Sequence, residues 1–350
     1  MFESLGFENM TAPQVAVGFA LILGAAFGLL AERTKFCFRR SLVGDDRKQA
    51  MGVWLTALAV AILGTQAAVF SGLISFDDHR FMAADLPILA IVLGGLAFGA
   101  GMVLTRGCAS RLTVLSATGN LRAVFVLLVF AITAHATLKG VLAPVRTTLG
   151  SVTLSLGETV SLSQLPGGGL VWSALLALAA LAVALRSGNR AGTLILAAAL
   201  GALVPLGWVG TGFVLYDDFD PVALESLSFT APYADTLFWT VASTSIPANF
   251  GVGLIGGTVL GALVASLLFG SFQWQSFSTP AETGRYASGA VLMGVGGVLA
   301  GGCTVGAGLA GVPTLSIAAL LAILSIAAGA VLTNAALKPS RQSAYAQPAE

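Results

Sequence analysis

Apolar runs alternate with short polar breaks along almost the whole chain, near residues 13–31, 50–74, 86–104, 121–138, 168–185, 191–208, 248–270, 286–300 and 314–337. Most are long enough that, coiled as helix at about 1.5 Å per residue, they cross the roughly 30 Å of bilayer hydrocarbon. The pattern predicts an all-α polytopic membrane protein of about nine transmembrane helices. Two further apolar stretches, 109–120 and 304–313, are too short and broken to span, yet too apolar for water-exposed loops. They read as short re-entrant half-helices, because irregular backbone at membrane depth is tolerated only inside protein or beside a watery cavity.

Composition agrees, with 56% hydrophobic and 9% charged residues against about 25% charged in soluble domains. A net charge of +1 gives no whole-chain field for nucleic acid, so no nucleic-acid partner is expected and the charges are read by position. Glu3 and Glu8 precede the first run without any Lys or Arg, the wrong start for a cleaved signal peptide, so the first span is expected to be retained. Arg33, Lys35, Arg39, Arg40, Arg47 and Lys48 follow the first run, Arg186 and Arg190 the fifth, and Lys338 and Arg341 the ninth. Asp77, Asp78, Asp85, Asp217, Asp218, Asp220, Glu225 and Asp235 fall on the opposite side. The positive-inside rule then places the N-terminus outside and the C-terminus in the cytoplasm, with 338–350 a polar tail expected to be disordered.

Residues 99–108 (G-A-G-M-V-L-T-R-G-C) and 294–303 (G-V-G-G-V-L-A-G-G-C) share one pattern, G-x-G-x-V-L-x-x-G-C. Gly101 aligns with Gly296, and Gly107-Cys108 with Gly302-Cys303. The repeat predicts a duplication, with a first unit over 1–150 holding Cys37 and Cys108 and a second over 151–337 holding Cys303. The third run leads inward and the eighth outward, so the two units are expected to be inverted, an arrangement recurrent among transporters with midplane sites. Cys108 should approach the centre from inside and Cys303 from outside, with Cys37 towards the cytoplasmic exit.

Each feature has a plainer reading beside this one. A buried cysteine is a small apolar packing residue, although recurrence of Gly-Cys in both halves argues for more. The odd cysteine count disfavours a disulfide framework, and the absence of Cys-x-x-Cys spacing disfavours metal, so neither metal nor cofactor is expected. Arg106 and Arg111 bracket Cys108, either as interface anchors or as an electropositive vestibule for an anion. His135, inside the fourth run, is a functional candidate or a neutral imidazole held by a neighbouring helix. Trp172, Trp208, Trp239 and Trp274 lie near span ends, as an aromatic belt would.

The segments Lys35-Phe36-Cys37-Phe38-Arg39, 99–111 and 292–309 resemble the signature segments of the YeeE/YedE family, over nearly the whole chain. The resemblance implies an hourglass-shaped inner-membrane protein that takes up thiosulfate or a related reduced-sulfur anion. It also implies a path past Cys37, Cys108 and Cys303, with relay by S–H···S hydrogen bonds, and a small TusA-like or rhodanese-like cytoplasmic sulfurtransferase acting in trans. The alternative is a membrane-embedded sulfurtransferase in which Cys37 or Cys108 takes up persulfide sulfur.

Overall fold

The computed structural model describes residues 6, 10–157 and 159–337; Glu3, Glu8 and the 338–350 tail lie outside the described residues. In chain order the elements are α1 (Ala12–Thr34), α2 (Phe38–Val43), α3 (Arg47–Phe70), β1 (Asp85–Leu86), α4 (Ile88–Leu104), α5 (Ala109–Ala117), α6 (Leu121–Lys139), α7 (Ala143–Gly150), β2 (Leu154–Ser155), α8 (Gly168–Leu185), α9 (Ala191–Val209), α10 (Thr230–Ala242), α11 (Phe250–Leu268), α12 (Pro280–Leu299) and α13 (Ile317–Leu337). Nine segments among the described residues are long and apolar enough to cross a membrane, those built on α1, α3, α4, α6, α8, α9, α11, α12 and α13. Large apolar side chains such as Ile22, Leu185, Ile195 and Leu268 are exposed on them. In water that would be a liability; in lipid it is the solvent match. The chain is an all-α multi-pass membrane protein.

Local sequence explains where the spans begin. Thr11 caps α1, its backbone N–H donating to Gln14 Oε1 at 3.1 Å, with Pro13 in the first turn where a missing N–H does no harm. The hydroxyl of Thr279 accepts from Glu282 N at 3.2 Å and Pro280 opens α12, six residues before the apolar run suggests. The stretch 109–120 contains the helix α5, while 304–313 is mostly a π-helical segment, Thr304–Gly311.

Small residues set the packing, as membrane helices need for close approach. Gly253, Gly257 and Gly261 of α11 lie against the Val17, Leu21 and Ala25 backbone of α1, so these two helices run parallel. Helices α4 and α12 run antiparallel: Gly94 faces Gly296 and Ala300, while Gly101 faces Gly289 and Met293. A methyl placed on Gly296 would lie 2.5 Å from the Phe98 backbone nitrogen, so only glycine fits that crossing.

The bundle ends differ in charge. Where α1, α4 and α11 finish lie the ion pairs Arg40–Asp46, Arg111–Glu32 (3.4 Å) and Arg122–Glu282 (2.7 Å), with Arg33 over the Phe269 ring at 3.8 Å. The other end carries the acidic loops 71–87 and 215–229, the two-residue β1–β2 pair and α7.

Candidate functional site

All three cysteines are free and buried, and each stands in the same local device. A long helix ends in a left-handed residue, one residue follows, and the cysteine then takes the N-cap of the next helical segment. The left-handed residues are Lys35 (φ 51°), Arg106 (φ 60°) and Gly301 (φ 75°), each two positions before its cysteine. Cys37 precedes α2, Cys108 precedes α5, and Cys303 precedes the π-helical segment, all with extended backbone. Left-handed backbone on a side-chain-bearing residue costs about 1–2 kcal/mol, so Lys35 and Arg106 hold a geometry that Gly301 adopts freely. Gly107 and Gly302 fill the intervening position, where a methyl would lie 3.2 Å from Leu112 Cδ2 and 2.9 Å from Ala307 N respectively.

The device aims the three sulfurs at one region. The Cys37 and Cys108 side chains lie close enough to act on one another, and Cys108 Sγ lies 3.4 Å from Ser110 Oγ. The Thr304 hydroxyl also faces Cys108, yet it is buried without a geometrically complete hydrogen bond. Thr304 adjoins Cys303, so the order in space is Cys37, Cys108, Thr304, Cys303. Cys303 Sγ accepts the Gly306 amide at 3.4 Å and lies near the Val305 and Phe229 amides. Aromatic pairs pack beside this line: the Phe27 ring centroid lies 6.2 Å from Phe36 and 5.3 Å from Phe229, and Phe38 meets Trp54 at 4.7 Å in a tilted pair.

A cavity of about 620 Å³ at the acidic-loop end reaches Gly306 and Ala310 of the π-helical segment. Its lining includes His79, Arg80, Trp208, Glu225 and Ser228. The Arg80 charge is close enough to act on Cys303 and Glu225. His79 Nδ1 accepts the Phe81 amide at 3.3 Å and its ring meets Trp208 edge-on at 5.3 Å. Burial, with the Arg80 charge beside it, holds the imidazole down at about 4, so at neutral pH the ring is uncharged and carries its proton on Nε2. Glu225 presents surface to the cavity but sits deep among protein atoms; that burial, and then the Asp235 charge, lift its carboxyl to about 7 against the pull of Arg80. Asp77 and Asp78 line the same cavity and are exposed.

The sequence-derived candidates divide in this geometry. Cys37, Cys108 and Cys303 converge. Gly101 and Gly296 pack the α4–α12 crossing instead of lining a path. Arg106 is exposed, and Arg111 is committed to Glu32 at 3.4 Å, although its charge still reaches Cys37. His135 stacks on Phe238 at 4.9 Å. Trp208 is not part of a belt: it is 3% exposed and packs on Phe76 and His79. His79, Arg80 and Thr304 escaped sequence reasoning, although His79 is one of only two histidines in the chain.

The family model described as sulphur transport matches residues 33–332. The thiosulfate transporter TsuA of Spirochaeta thermophila is 27% identical over 331 residues, covering 86% of this chain and 93% of that protein. The thiosulfate transporter TsuA of Escherichia coli is 26% identical over 317 residues, covering 83% and 85%. The probable transporter YedE of Escherichia coli is 33% identical over 111 residues, 31% of this chain and 26% of that protein.

Proposed function

This chain belongs to the YeeE/YedE sulphur-transport family, and from that premise we propose that it carries thiosulfate inward across the cell's inner membrane by passing the anion along Cys303, Cys108 and Cys37. The observation that carries the reading is the line of three buried, free thiols, each capping a short helical segment. The positive-inside rule supports reading the acidic-loop end as outside and the Arg33–Lys48 end as cytoplasmic. The antiparallel α4 and α12, each leading into a Gly-Cys turn, support two inverted units meeting at the thiols.

The chemistry divides by magnitude. Taking an ion out of water costs several kcal/mol even after protein relaxation, whereas a weak S–H···S contact, by analogy with other weak hydrogen bonds, contributes about 0.5–1 kcal/mol. Thiols therefore guide the anion without holding it, which favours onward movement through sites in series. Replacement of its hydration falls to the Arg80 guanidinium and to the Nε2–H of neutral His79. The terminal sulfur of thiosulfate then accepts from the Cys303 thiol, from Cys108 with the Thr304 hydroxyl alongside, and from Cys37. Release falls beside α2, near a groove of about 670 Å³ bearing Arg47, Lys48 and Arg186. There a TusA-like or rhodanese-like sulfurtransferase would act in trans.

The proximity of Cys37 and Cys108 also suits the alternative enzyme, in which a thiolate takes the sulfane sulfur as a persulfide and sulfite leaves. Thiol alkylation separates the two. For the carrier, thiosulfate slows modification of Cys303 by a small thiol reagent while sulfate does not, and intact-mass measurement after turnover finds no added sulfur. A persulfide on Cys37 or Cys108 that forms with turnover, or equal protection by sulfate, overturns the relay.

A further inference from the structure

A second cavity, of about 370 Å³, lies at the acidic-loop end and is lined by Arg80 and Arg146 together with apolar groups including Phe81, Ile91 and Leu299. It touches Ala300 and Gly301, just before Cys303, whereas the vestibule touches Gly306 and Ala310, just after it. Arg80 lines both spaces. Among the described residues, no Asp or Glu lines the second one. Arg146 comes from α7, takes part in none of the ion pairs found among the described residues, and has its Nε buried without a hydrogen-bond partner.

Arg80 feels Glu225 across the vestibule, but Arg146 meets no carboxylate among the described lining residues of this recess and keeps a buried Nε without an acceptor. Donors on a charged group are expensive to leave unmade once water is excluded, and the planar guanidinium fork matches the paired oxygens of a phosphate or sulfur oxyanion. We propose that this recess is a second anion site, separate from the Cys303 vestibule, in which Arg146 and Arg80 bind a tetrahedral oxyanion. The same chemistry serves the phosphate of a membrane lipid, whose chains the apolar walls would accept, and a free dianion of the substrate's kind.

The test uses the full chain, purified in detergent and stripped of lipid, titrated by calorimetry with thiosulfate and with sulfate, beside native mass spectrometry after addition of phosphatidylglycerol. A free-anion site gives a second binding equivalent in the wild type that weakens at least tenfold in Arg146→Gln and is retained better in Arg146→Lys. A lipid-phosphate site gives instead one tightly held phosphatidylglycerol in the wild type, lost in Arg146→Gln. Either result supports the site and names its source. Cys303→Ala should leave the Arg146-dependent ligand bound, so failure of the relay and failure of this site read separately. A wild type that shows neither a second equivalent nor a retained lipid, or an Arg146→Gln protein that keeps either unchanged, overturns the proposal.

Discussion

A sulfur atom at each of three helix caps is an unusual choice, since Ser, Thr, Asp and Asn cap better. At Cys303 the sulfur accepts a long amide contact, 3.4 Å from Gly306, and keeps its own proton for another acceptor. Cys108→Ala and Cys303→Ala should each reduce thiosulfate uptake more than tenfold in protein that still inserts. Cys→Ser should restore little, because a hydroxyl is harder and more strongly hydrated than a thiol. Glu225 makes a second prediction at this scale. Its carboxyl, lifted to about 7, is neutral below that pH and charged above it, in a vestibule that also holds Arg80, Asp77, Asp78 and the charge of nearby Asp235. A neutral Glu225 repels an incoming dianion less, so initial uptake should rise severalfold from about pH 8 to about pH 6. His79, held at about 4, stays neutral across that range. Glu225→Gln should be fast and flat with pH, and an unchanged slope in that variant would remove Glu225 from the path.

The helices were legible because lipid demands long apolar runs, and all nine appear where the hydropathy of the chain places them. Their crossings were only half legible. Gly101 and Gly296 stood out as conspicuous repeats, yet their task is to let α4 and α12 touch. Gly296→Leu should therefore destabilise the detergent-solubilised protein by the overpacking penalty of about 1–3 kcal/mol or more, read as a lower thermal midpoint. Gly256→Ala on α11, where a methyl meets nothing within 4 Å, should leave it level or slightly higher. The turn shared by the three cysteines was hidden for a local reason. Gly301 advertises a positive φ, but Lys35 and Arg106 adopt the same conformation with side chains that give no such signal. Helix α10 (Thr230–Ala242) is too short to span and has a polar start that hydropathy does not mark.

For the whole molecule, the apolar pattern and the Gly-Cys blocks revealed the membrane class and the cysteines, but not the vestibule. The Arg80 charge acts on Cys303, and His79 shares a cavity with Gly306 and Ala310, because loop 71–87 folds over Trp208 and against the π-helical segment. Loop residues without periodicity give no hint of such a landing. The charge asymmetry of the two ends makes the orientation testable with a small membrane-impermeant thiol reagent. Cys303 should react faster in right-side-out vesicles and Cys37 faster in inverted ones; the reverse order would invert the topology. The central claim, that thiosulfate crosses by way of the thiols, is met most directly by uptake of sulfane-labelled thiosulfate into proteoliposomes. Wild type is compared with Cys108→Ala, and sulfate serves as a competitor that lacks a soft terminal sulfur. Uptake that sulfate leaves intact and the substitution abolishes is expected; undiminished uptake by a well-inserted Cys108→Ala protein would contradict passage by way of the thiols.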